Sequence, residues 1–182
     1  IKADLGNLST VKTSTSYGNA ILAIAVDDTY VYAGGYQTVR KYLKSGLSYV
    51  GETPSYGSFI RSIAVDDTYI YVGVSATKSV RKYLKSDLSY VGVSPSYGSD
   101  IFAIAVDDTY IYVGGGPTTR TVKKYLKSDL SYVGETPIYS GTIRSIAVDD
   151  THIYVGGSTT QTVRKYLKSD LSYVGETPSY GD

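Results

Sequence analysis

Ile143-Arg-Ser-Ile-Ala-Val-Asp-Asp-Thr-His-Ile-Tyr-Val-Gly-Gly157 is the stretch that decides the fold. Apolar residues fill both ends, and Asp149-Asp150-Thr151 lies between them. Asp suits a turn because its side chain bonds the backbone two residues on. The stretch therefore predicts two short antiparallel strands around a tight turn. It occurs four times, starting at Ile21, Ile60, Ile101 and Ile143. A second half follows each copy, of the type Val163-Arg-Lys-Tyr-Leu-Lys-Ser-Asp-Leu-Ser-Tyr-Val-Gly175. It predicts two more strands joined by a hairpin-length link.

A period of 39 to 42 residues built of short strands is the signature of a propeller. No part of the repeat carries the i, i+3, i+4 pattern of a helix. In the first copy the predicted strands are a (21–26), b (30–34), c (38–44) and d (47–52). Apolar and aromatic residues occupy both faces of these strands, so both faces need covering, and stacked blades cover them. Strand a is the least polar and is expected nearest the axis. Strand c, with Arg40, Lys41 and Lys44, is expected toward the rim, its basic side chains lying along the blade to reach water. The expected fold class is all-β: a four-bladed β-propeller of four-stranded antiparallel blades with one extra N-terminal strand. The blades are 21–59, 60–100, 101–142 and 143–182.

Residues 1–20 hold a fragment of the same pattern. Lys2-Ala-Asp-Leu5 echoes Lys168-Ser-Asp-Leu171, and Ser16-Tyr-Gly18 echoes Ser179-Tyr-Gly181. Between them Leu8, Ser9, Thr10, Val11, Lys12 and Thr13 have strand character. The segment reads as the last strand of a repeat without the three that should precede it. Four complete blades leave this strand spare, for closure or for donation to another chain. Unpaired strand edges template pairing between chains.

Composition narrows the partners. The 182 residues carry 18 basic and 17 acidic side chains, a net charge of +1, which gives no reason to expect nucleic acid. No run approaches the length of a membrane span, so no membrane insertion is expected. With no Cys, disulfides and thiolate metal sites are excluded. Tyr numbers 21 against 2 Phe, which favours strands and half-buried faces. This composition points to an extracellular or cell-surface β-protein. Asn7-Leu8-Ser9 is a formal glycosylation sequon.

The unit Ile63-Ala-Val-Asp-Asp-Thr-Tyr-Ile-Tyr-Val-Gly73, followed by Ser79-Val-Arg-Lys-Tyr83, resembles the repeat of YVTN/NHL-type β-propellers. The resemblance covers residues 21–182 blade by blade. It implies blade architecture and leaves function open, because such propellers include enzymes, ligand binders and scaffolds. This chain departs from the pattern in its shorter a–b turn and in having four copies.

Differences between the copies point to candidate sites. All length variation falls in the b–c loop, and sequence variation falls there and in the d–a junction; both open on one face of a propeller. Strand a reads Leu22-Ala23, Arg61-Ser62, Phe102-Ala103 and Arg144-Ser145. In a closed four-blade ring Arg61 and Arg144 would face each other across the axis, as an anion or sugar-acid site. The structural alternative is that each bonds a carbonyl or a nearby carboxylate such as Asp100. Candidate ligand contacts are thus Arg61, Arg144, Phe102, Leu22 and Tyr36, the last in the variable loop of the first copy. The pairs Asp27/Asp28, Asp66/Asp67, Asp107/Asp108 and Asp149/Asp150 offer too few oxygens for Ca²⁺ and read as turn formers. His152 takes a position held elsewhere by Tyr30, Tyr69 and Tyr110, as a framework substitution. No nucleophile elbow or phosphate cradle is present. No catalytic residue, metal or cofactor is expected.

The leading expectation is a non-enzymatic extracellular propeller that assembles with copies of itself, head to tail, through the spare strand. The alternative is a lectin-like module binding a glycan on the variable face. An enzyme of lactonase type comes third.

Overall fold

A computed structural model describes residues 17–180. Sixteen strands form four antiparallel sheets, each a simple meander: β1–β4, β5–β8, β9–β12 and β13–β16. In the first blade they are β1 (Ala23–Val26), β2 (Tyr30–Gly34), β3 (Val39–Leu43) and β4 (Tyr49–Glu52). The second holds β5 (Ile60–Val65), β6 (Tyr69–Val74), β7 (Ser79–Leu84) and β8 (Tyr90–Val93). The third holds β9 (Asp100–Val106), β10 (Tyr110–Gly116), β11 (Lys123–Leu126) and β12 (Tyr132–Glu135). The fourth holds β13 (Ile143–Val148), β14 (His152–Gly157), β15 (Val163–Leu167) and β16 (Tyr173–Glu176). The expected blades are therefore present, with strand ends trimmed by one or two residues. The expected extra strand, Leu8 to Thr13, lies outside the described residues.

The core sits between blades. One cluster joins Tyr32 and Val39 of the first blade to Ile60, Ile70 and Val72 of the second. Equivalent clusters join Tyr71 and Val80 to Ile101, Ile111 and Val113, and Tyr112 and Val122 to Ile143, Ile153 and Val155. The inner strands β1, β5, β9 and β13 pack in succession. Gly34, Gly73 and Gly114 let them approach: a Cβ on Gly114 would lie 2.5 Å from Ile143 Cγ2.

Each outer hairpin carries a bulge, at Lys41/Tyr42, Lys82/Tyr83, Lys124/Tyr125 and Lys165/Tyr166. The c–d turn then holds a leucine in the left-handed region: Leu47, Leu88, Leu130 and Leu171, with φ of 51°, 62°, 64° and 64°. Such a conformation costs a non-glycine residue about 1–3 kcal/mol and persists only where the surroundings enforce it. A neighbouring blade surrounds three of the four. Leu88 Cδ1 lies 3.4 Å from where a Cβ on Gly51 would sit, and Leu130 and Leu171 meet Gly92 and Gly134 in the same way. Each of these three plugs into a gap left by the glycine of the preceding blade, while Leu47 is exposed.

Candidate interaction surfaces

The first aspartate of each turn does more than cap it. Asp66 Oδ1 accepts the backbone N–H of Thr68 (2.8 Å) and of Tyr69 (2.7 Å). Its other oxygen accepts the Tyr71 hydroxyl at 2.9 Å and pairs with Lys127 Nζ of the next blade at 2.7 Å. Asp27 with Lys85, and Asp107 with Lys168, repeat the arrangement at 2.6 and 2.5 Å. Burial alone would raise the Asp66 carboxyl; the Lys127 contact and the turn N–H groups outweigh it and hold the group below its usual range. The Tyr71 hydroxyl is pushed the other way, by burial and by its bond to the Asp66 anion. The second aspartates, Asp28, Asp67, Asp108 and Asp150, are exposed.

A reciprocal contact runs forward from each blade to the next. Lys82 Nζ donates to the Lys127 carbonyl at 2.5 Å and sits 3.8 Å above the Tyr69 ring. Lys41 does the same with the Lys85 carbonyl and Tyr30, and Lys124 with the Lys168 carbonyl and Tyr110. These lysines are 3–4% exposed, so the expectation that Lys41 runs out to water is corrected, whereas Lys44 is exposed as expected. Their ammonium groups reach a neighbouring blade before they reach solvent, and a carbonyl and an aromatic face replace the lost hydration. The sequence held a signal for this. All four copies have Lys at this position, while the preceding one is Arg40, Arg81, Lys123 and Arg164. A site that never exchanges Lys for Arg needs a compact point charge.

Three such interfaces are complete among the described residues, and the outer faces of the first and fourth blades differ from their counterparts in burial. On the first blade Ile21 is 49% exposed and Leu47 39%, whereas Ile60, Ile101 and Ile143 are at most 1% exposed. Ile24 and Val26 are exposed there as well, at positions half-buried or buried in the other blades. On the fourth blade Tyr154 and Val163 are half-buried, although Tyr32, Tyr71 and Tyr112 are at 0%. A Cβ on Gly175 would meet nothing within 4 Å.

The candidate ligand contacts gather into a strip along the inner strands. Tyr36 packs on Phe59 with ring centroids 5.1 Å apart, and the two pair through an isolated bridge. The Arg61 guanidinium lies 5.4 Å from the Phe59 centroid and 5.5 Å from that of Phe102. Arg144 lies 4.5 Å from the centroid of the same Phe102 ring. The two arginines therefore share one phenylalanine. Among the described residues neither makes an ion pair, with Asp100 or otherwise, and Arg61 Nε is buried without a hydrogen-bond partner. Leu22 stands apart, 41% exposed on the first blade. Phe59 was missed in the sequence because it belongs to the irregular d–a junction.

His152 Nδ1 is 2.7 Å from Thr151 Oγ1 and 3.7 Å from Asp149. It stands where three blades put the tyrosine beneath a lysine; Lys165 instead lies 5.6 Å from the Tyr154 ring. A groove of about 810 Å³ runs between the Asp-turns of the third and fourth blades, away from the strip. Similar grooves recur between the other blades.

No protein-family model matches the chain. No curated protein matches it either. Among solved structures, the chain is similar to the computationally designed Ika4 protein (TM-score 0.75, 14% identity, 85% of this chain and 95% of that one). U3-55K and the RRP9 WD40 repeats each give a TM-score of 0.79 at 15% identity, over 88% of this chain. The chain spans about half (52%) of each of those two proteins. WD40 repeats are propeller blades. At such low identity the likeness concerns fold alone, and the fold is a β-propeller of four four-stranded blades.

Proposed function

We propose that this chain is a non-enzymatic structural propeller of the YVTN/NHL kind, working outside the cell or at its surface and assembling with copies of itself. The observation that carries the reading is the apolar first blade. Ile21, Ile24, Val26 and Leu47 are 39–63% exposed at positions the other three blades cover with a neighbour. Repeat arrays need polar terminal units to stay apart in water, and the outer faces of these end blades are not polar. A non-catalytic role is supported by how the carboxylates are used. Asp27, Asp66 and Asp107 each hold two turn N–H groups, a tyrosine and a lysine, which commits these three carboxylates to the framework. Light scattering across a wide concentration range tests the reading: an assembled species supports it, and a monomer throughout refutes it.

The arginine strip favours a second reading, the capture of an anionic or planar ligand such as an acidic glycan. Two guanidinium groups without carboxylate partners share an aromatic ring there. A glycan array with the chain and its Arg61→Ala and Arg144→Ala variants decides it: loss of a signal in the variants supports binding, and no signal argues against it.

A further inference from the structure

We infer that the partner is a second copy of this chain, docked blade face to blade face, so that two copies close one ring. The inference rests on the self-assembly proposed above and names its route. Three parts of each complete interface have one half left over at either end of the chain. In the ion pair, Asp27, Asp66 and Asp107 take Lys85, Lys127 and Lys168. That leaves Asp149 on the fourth blade and Lys44 on the first. In the plug, Leu88, Leu130 and Leu171 enter the gaps at Gly51, Gly92 and Gly134. That leaves the open gap at Gly175 and the exposed Leu47. In the apolar layer, the half-buried Tyr154 faces outward on one end, and Ile21 and Ile24 on the other.

The charges match as well: the fourth blade offers a carboxylate where the first offers an ammonium. These halves are the ones that already fit three times; the lysine contact alone differs, since His152 stands where the other blades have tyrosine. A head-to-tail contact closes into a ring when its rotation allows and otherwise forms a filament. The rotation here belongs to a ring, since four blades superpose on about half of a WD40 chain. Two copies give eight blades, within the usual range for propellers.

Gly175→Tyr tests the route, because a Cβ there meets nothing within 4 Å and the ring fills the gap that Leu47 of a second copy would enter. Lys44→Glu tests it independently by setting like charges against Asp149. Native mass spectrometry and circular dichroism are read on the full 182-residue chain. The expected result is a wild-type dimer of twice 19.6 kDa and variants that are folded monomers. Wild-type assemblies that persist unchanged in both variants would overturn this route and leave self-assembly standing, with deletion of residues 1–15 showing whether the terminal strand carries it. Open-ended polymers that Gly175→Tyr abolishes would overturn the two-copy ring. A wild-type monomer would overturn both the route and the assembly it rests on.

Discussion

Asp66 and Asp67 are chemically identical neighbours, yet the structure gives only the first a task, and exchanging each for Asn separates them. In Asp66→Asn one oxygen remains to accept the Thr68 and Tyr69 N–H groups. The amide nitrogen then occupies the place of the oxygen that held Tyr71 and Lys127. It is a donor: the Lys127 ammonium cannot accept it, and the Tyr71 hydroxyl accepts it only by reversing its role, so both bonds to the anion end. Hydrogen bonds to charged groups contribute about 1.5–3 kcal/mol each. Two are lost, which sets an upper bound of about 6 kcal/mol. Lys127 recovers part of this, since it keeps its 2.8 Å bond to the Asp107 carbonyl and its side chain is 17% exposed. A loss of about 3 kcal/mol is therefore expected, at the lower edge of what breaking a buried pair costs.

For a chain of this length that corresponds to a melting temperature about 6–12 °C lower. Asp67 is exposed, so Asp67→Asn is expected to change stability by less than about 0.5 kcal/mol. Thermal and urea unfolding of the two variants, with a double-mutant cycle to Lys127→Met, measures the difference. Equal losses at the two positions, or no coupling to Lys127, would refute the interlock.

Acid should unfold the chain through the same groups. Asp66 and Asp107 are held below their ordinary range, so the folded state binds fewer protons than the unfolded one, and stability is full above about pH 5 and falls as pH drops below about 4. In a pH series, Asp66→Asn should show a shallower fall than the parent. His152→Tyr should bring the fourth blade into line with the other three, with Lys165 stacked on the new ring, and raise stability by about 0.5 kcal/mol in urea unfolding; a loss would show that the histidine has its own role. Gly114→Ala places a methyl 2.5 Å from Ile143 and should cost about 1–3 kcal/mol by overpacking, measurable by calorimetry, while Gly57→Asn, at a left-handed position with open space around it, should cost far less.

Most of the fold was legible because the repeat states it four times. The Asp-Asp-Thr turn, the strand alternation and the b–c loop each survive comparison between copies, so β2 falls at Tyr30–Gly34 as read. The unvarying lysine at Lys41, Lys82 and Lys124 marked the position as special but left its direction open. An amphipathic side chain on an outer strand has two escapes, to solvent or to the neighbouring blade. Only the distance between blades decides, and that distance is set by glycines and by inner-strand packing. The strip from Tyr36 to Arg144 was half legible. Its residues stood out as departures from the repeat, but their gathering around Phe102 depends on how far each blade is turned from the last.

Identical positions with unequal burial carry the argument about assembly furthest. Selection for a lone four-blade unit would be expected to make Ile21, Ile24 and Leu47 polar, because an exposed apolar side chain gains nothing and promotes non-specific association. These three residues instead match their buried counterparts, isoleucine for isoleucine and leucine for leucine. Leu47 also keeps the left-handed backbone (φ 51°) that its equivalents hold under a neighbouring blade. A strained leucine at 39% exposure has the cost of the plug without its burial, and fully burying such a side chain is worth about 1.5–3 kcal/mol. The proposed neighbour at this face would recover that energy, with the Lys44 pair added, so the first blade carries the residues of an interior blade.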